Sequence, residues 1–148
     1  MTAYLDMSAT TPVIKEVADL VYKLMVDEFG NAGSRTHEYG TRAKNEVLKA
    51  RKRVARVADT DFNDVVFTSG ATESNNLALL GLKSFGLESG KKHIITSRIE
   101  HKAVLEPLEY LSKEGFEITY LDVGSDGLVN PKELSDALRP CLLYTSDA

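Results

Sequence analysis

Cysteine is almost absent from the chain: Cys141 is the only one among 148 residues. One thiol excludes an internal disulfide and any metal site built from several cysteines. Tryptophan is missing altogether, and histidine is confined to three positions. No apolar run approaches the roughly 18 residues needed to cross a bilayer, and no basic stretch followed by an apolar one marks a secretory leader. Cytosol is the expected compartment. Excess charge is lacking too. A net charge of −4 and a pI near 5.4 give no global electrostatic case for nucleic acid or an anionic membrane. There is no G-x-x-x-x-G-K-[ST] and no G-x-G-x-x-G, so a triphosphate cradle and a dinucleotide fingerprint are both excluded.

What remains is an ordinary soluble composition, 43% hydrophobic and 27% charged, in a chain long enough for one domain that buries roughly 70% of its unfolded surface. An extended arm, MTAYLDMSATTP, closes at Pro12. From Val13 to Phe29 apolar residues recur at helical spacing, with Gly30 as the stop. The segment GNAGSRTHEYG, Gly30 to Gly40, reads as a loop long enough to ask for a function. A second helix is expected over about Thr41–Ala58. A strand at Asp64–Phe67 then leads to a helix over about Thr72–Phe85. A strand at Lys92–Thr96 follows, and Pro107 places the next helix start near Lys102 to Val104, with the proline in the first turn. FEITYLDV alternates as a third strand, and NPKELSDAL is a short capped helix. Strands alternating with helices indicate an α/β domain with a mainly parallel sheet.

The stretch FTSGATESNNLALLG, Phe67 to Gly81, concentrates small residues where a strand gives way to a helix. In a parallel sheet, ligands sit outside the carboxyl ends of the strands. Small residues leave the backbone N–H groups of the helix start open, and the helix dipole favours an anion there. A single phosphate suits this turn. On local grounds alone, a helix merely capped by Thr68 or Ser69 remains the alternative. Of the histidines, His93 stands at a strand start, the wrong end for a ligand, and reads as structural. His37 lies in the glycine-rich loop, where a surface role and a substrate-edge role are not separated. His101 follows the next strand on the same sheet edge as Gly70 to Thr72, where an imidazole can stack on a ring or move a proton. The basic run Arg42, Lys44, Lys49, Arg51, Lys52, Arg53 and Arg56 has no interleaved aromatics and reads as a solvated helix face rather than a nucleic-acid surface.

YLDMSATTP, FGNAGSRTHEYG, FTSGATESNNLAL and HIITSRIEHKAVLEPLEYLSKEGFEITYLDV closely resemble the N-terminal portion of bacterial cysteine desulfurases, pyridoxal 5′-phosphate (PLP) enzymes of the class-V aminotransferase group. The likeness runs in order from Tyr4 to about Pro140, and GNAGSRTHEYG and EHKAVLEPLE look particularly like the type linked to DNA phosphorothioation. The resemblance implies part of a fold-type I large domain and conversion of L-cysteine to L-alanine, with sulfur left as an enzyme persulfide for an acceptor protein. It also implies a homodimer, with no direct nucleic-acid or membrane binding. By resemblance, Ala71 and Thr72 bind the PLP phosphate, and His101 stacks on the pyridine ring and assists proton transfer.

In such enzymes the Schiff-base lysine, the aspartate paired with the pyridinium nitrogen and the persulfide cysteine lie further along the chain; Lys102 and Cys141 match none of them. Residues 1–140 therefore read as an arm plus a partial PLP-binding domain, inactive alone. The tail CLLYTSDA, residues 141–148, departs from the family pattern and reads as truncation or a sequencing artefact. The alternatives are another class-V PLP enzyme, such as a selenocysteine lyase or an aminotransferase, and a non-catalytic phosphate-binding module.

Overall fold

Apolar residues at helical spacing over the first part of the chain do form helices, though their ends are set by capping. In the computed structural model, which describes residues 3–145, α1 spans Lys15–Val26 and α2 spans Glu38–Val57. α1 begins two residues later than its apolar pattern, with Ile14 as an N-cap that makes no side-chain hydrogen bond. α2 begins three residues earlier than expected: His37 caps it, its Nδ1 accepting the Gly40 N–H at 3.1 Å. This removes His37 from the set of histidines without a structural role.

The connection between α1 and α2 is held by close packing. Phe29 stacks on Tyr39 with ring centroids 5.8 Å apart. A Cβ on Gly30 would lie 2.2 Å from the Tyr39 carbonyl oxygen, so no other residue fits without moving the chain. Arg51 of α2 reaches forward to donate to the Val65 carbonyl at 2.7 Å. These elements belong to the first of two compact units, Met1–Val66.

The expected strand at Asp64–Phe67 does not form. Phe62–Asp64 is a 3₁₀ turn, and the residues after it run without a strand assignment. β-favouring residues specify an extended backbone, but a strand exists only where a neighbour accepts its ladder, and no described strand pairs with this one.

The second unit, Phe67–Ala148, carries the sheet. The helix expected over Thr72–Phe85 is two helices, α3 over Ala71–Gly81 and α4 over Lys83–Ser89, meeting at Leu82. Gly81, a poor helix former, stands at the break. Then follow β1 (His93–Ser97), α5 (Lys102–Lys113), β2 (Glu117–Leu121), α6 (Pro131–Ala137) and β3 (Leu142–Thr145). The strand order is β2-β1-β3, with both pairs parallel and Ile94 opposite Ile118 in the first. Of residues 141–148, Leu142–Thr145 supply this third strand, and residues 146–148 lie outside the described set.

α5 starts at Lys102 as expected, but Pro107 is its sixth residue and not part of the first turn. The missing N–H therefore falls where the Ala103 carbonyl would have found its partner. Leu79, Ile94, Val104, Leu108, Leu111 and Phe116 form the core between α3, α5 and the sheet. Burying a leucine such as Leu108 or Leu111 contributes about 1.5–3 kcal/mol. His93, fully buried on β1, meets Thr119 of β2 through Nε2 at 2.8 Å, a structural role as the sequence implied.

Candidate active site

Two helix starts build the site within the second unit. At the first, Gly70 is the N-cap of α3 and has no side chain to offer, so no side-chain cap closes the helix. The N–H groups of the first turn have no intrahelical partner by geometry, and the dipole concentrates positive potential there. A Cβ built on Gly70 would meet nothing within 4 Å, so the space over this turn is open. Ala71 and Thr72 are the first two helical residues, and both are exposed.

At the second start, His101 caps α5. Its Nδ1 accepts the Ala103 N–H at 3.0 Å. In a neutral ring this assigns the proton to Nε2, which is turned away from that bond. The β1 strand ends at Ser97, and Arg98 to Glu100 carry the chain to His101. His101 therefore lies past the carboxyl end of β1, the end at which parallel sheets present ligands.

A cleft of about 390 Å³ runs between these starts, lined by Thr72, Asn76 and Leu80 from α3 and by His101, Lys102 and Glu106, among others, from α5. The volume lies within the roughly 300–1,000 Å³ typical of small-molecule sites. Thr72 and His101, separated by 29 positions in sequence, thus share one cleft. Ala71 adjoins Thr72 in the same helical turn but does not line the cleft wall. Asn76, which the motif reading did not single out, donates from Nδ2 to the Thr72 carbonyl at 2.9 Å. Its signal was the spacing itself: residues 72, 76 and 80 fall on one helix stripe.

Cys141 is placed elsewhere. Its carbonyl accepts the His93 N–H at 3.0 Å, which puts it by the amino end of β1, whereas His101 follows the carboxyl end. Among the described residues no group of three or more His, Cys, Asp or Glu is arranged to hold a metal ion, and no helix is long and apolar enough to cross a membrane.

Comparison with known proteins bears on the chain as a whole. The aminotransferase class-V family matches residues 3–146. The mitochondrial cysteine desulfurase of Eremothecium gossypii is 50% identical over 137 residues, 93% of this chain and 28% of the relative. Cysteine desulfurase IscS of Azotobacter vinelandii is 50% identical over 145 residues, 97% of this chain and 36% of the relative. Among solved structures, DndA from Streptomyces lividans superposes with a TM-score of 0.82 at 52% identity, covering 97% of this chain and 40% of that one. A structure described as SspA in complex with cysteine gives 0.85 at 38% identity, over 97% and 41% of the respective chains. The chain spans about a third of the length of the curated relatives it matches. Its α/β fold with a parallel sheet is that of part of the large domain of fold-type I, PLP-dependent transferases. The motifs around Thr72 and His101 and the match over residues 3–146 agree: the chain belongs to the class-V aminotransferase family.

Proposed function

We propose that this chain supplies the arm and part of the PLP-binding large domain, residues 1–140, of a cysteine desulfurase that converts L-cysteine to L-alanine and passes the sulfur through an enzyme persulfide to an acceptor. The observation that carries this reading is the shared cleft of Thr72 and His101, in a chain about half identical to cysteine desulfurases. The likeness to DndA supports the phosphorothioation-linked type. Action in a soluble compartment and as a homodimer are part of the same proposal.

The donor set suits a phosphate monoester joined to a flat heteroaromatic ring. An uncapped helix start offers N–H groups and the Thr72 hydroxyl to the phosphate, and an imidazole across the cleft offers a stacking face. When bound, PLP would supply an electron sink for chemistry at the substrate Cα. The rest falls to the protein. Ala71 and Thr72 anchor the phosphate through backbone N–H groups, and Thr72 adds a hydroxyl donor. His101 is oriented by the Ala103 N–H on Nδ1, so the ring meets the cofactor in one pose and exchanges a proton at Nε2. The lysine, aspartate and cysteine of the complete reaction are assigned to none of these residues.

The test is made in the full-length enzyme. Thr72→Ala is expected to weaken PLP retention on desalting while leaving the backbone donors in place. His101→Ala is expected to keep the phosphate anchored yet slow alanine formation by roughly 10²–10⁴, the scale of a positioned acid–base group. Unchanged turnover in the His101 variant limits that residue to stacking. Alanine released from selenocysteine but not from cysteine reassigns the substrate.

A further inference from the structure

We infer that Glu73 is a positioning residue for the phosphate turn: its carboxylate, tied back to Ser69, sets the shape of the turn and keeps the first-turn N–H groups of α3 open for a phosphate. The inference rests on the PLP-phosphate reading given above.

Glutamate as the third residue of a helix ordinarily folds back on the N–H of the N-cap residue. Glu73 holds that third position, after Ala71 and Thr72, but it reaches one residue further. Its Oε2 accepts both the Ser69 N–H at 2.6 Å and the Ser69 hydroxyl at 2.7 Å. This pair of hydrogen bonds holds the Glu73 carboxyl below its ordinary value. Ser74, the next residue, bonds the Thr68 hydroxyl at 2.7 Å, and Thr68 donates in turn to the Gly70 carbonyl at 3.1 Å. Two consecutive side chains of α3 therefore clasp the two residues before Gly70.

The clasp resolves a conflict in the sequence. Glycine at the N-cap leaves the helix start open, but it also leaves Thr68–Gly70 with a flexible backbone. A phosphate bound to a flexible turn has to order it at a cost in affinity. Glu73 and Ser74 do that ordering in advance, and they do so from outside the helix start, without covering Gly70. The negative charge of Glu73, unfavourable beside a phosphate, is met by two donors of its own.

The experiment follows backbone amide resonances of the ¹⁵N-labelled full chain, at dilution, during titration with inorganic phosphate; no turnover is needed. In the wild type the Ala71 and Thr72 amides are expected to shift saturably. Glu73→Ala is expected to weaken phosphate roughly tenfold and to move the Ser69 amide, whereas Glu73→Gln, which keeps an acceptor at the same reach, stays within about threefold, the contrast expected of a residue acting through its hydrogen bonds. Wild-type affinity in Glu73→Ala, or tighter binding from loss of a competing anion, overturns the inference while leaving the phosphate site standing. If Glu73→Ala disorders the turn, Glu73→Gln decides, and a loss as large as that of a misfolded turn overturns the proposal. Absence of any shift at Ala71 and Thr72 in the wild type sinks the site reading and the role of Glu73 with it.

Discussion

Two buried side chains of β1 carry measurable consequences at the scale of single residues. Ser97 is 3% exposed, and its hydroxyl has no hydrogen-bond partner among the described residues. An unpaired buried hydroxyl costs about 1–3 kcal/mol. Ser97→Ala is therefore expected to raise the denaturation midpoint, by an amount equivalent to roughly 1 kcal/mol, and a lower midpoint in thermal or urea unfolding contradicts this. His93 lies on the same strand with no exposure. Burial lowers its pKa from 6.5, the nearby Arg139 adds to the effect and Glu117 opposes it. Because the native pKa is depressed, the unfolded chain takes up the proton first. Stability is thus complete above about pH 6.5 and declines as the pH falls through the native pKa. A His93→Gln variant should lose that segment of the pH–stability curve, and urea midpoints measured from pH 7.5 down to 5 read it directly.

At the scale of elements, close approach matters more than propensity. A Cβ on Gly86 of α4 would lie 2.6 Å from the Phe116 ring and 2.8 Å from the Lys91 carbonyl oxygen. Gly86→Ala is expected to destabilise by about 1–3 kcal/mol through overpacking, despite the better helix propensity of alanine; a stabilised variant contradicts the packing argument. Leu108→Ala, which opens a cavity under α5 in the core, should cost about 2–5 kcal/mol in the same assay. These elements also show what was legible beforehand. α5 was visible because its apolar periodicity agrees with its buried face, β1 because its adjacent isoleucines mark a strand that is buried at every residue, and β2 as a run of alternating residues. The strand expected at Asp64–Phe67 does not form, because pairing depends on a neighbour that local sequence does not name. The α2 start was misplaced because a histidine serves there as the cap, a residue type seldom used so. The break at Leu82 and the interior Pro107 were missed because packing overrides the penalties that local rules assign. That His101 follows the carboxyl end of β1 was legible in the sequence, and Thr72 was singled out by its motif although the strand expected to lead into α3 does not form. Asn76, Glu73 and Ser69 are joined by hydrogen bonds that spacing alone leaves undetermined.

For the whole molecule, the relevant facts are what the sheet leaves open and how far the chain extends along its relatives. Among the described residues β2 and β3 are the edges of a three-stranded parallel sheet, and large apolar residues such as Val17, Leu20 and Met25 of α1 are exposed. Unpaired edges and apolar faces invite association. The chain of residues 1–148 alone is expected to self-associate with rising concentration, to retain no PLP after desalting, and to release no alanine from L-cysteine. Sedimentation, an absorbance spectrum and an alanine assay check the three; stoichiometric cofactor with turnover would refute the division of labour proposed for residues 1–140. The strand order has a further consequence, in time. β1 finds β2 across a connection that contains only α5, but β3 joins from beyond α6. Short-range pairings close before long-range ones. A chain emerging from the ribosome has made every residue of the Thr72–His101 cleft, and the first partner of the strand beneath it, by the time Leu121 is clear. The Thr72–His101 cleft is therefore framed early in synthesis, ahead of the sheet's third strand.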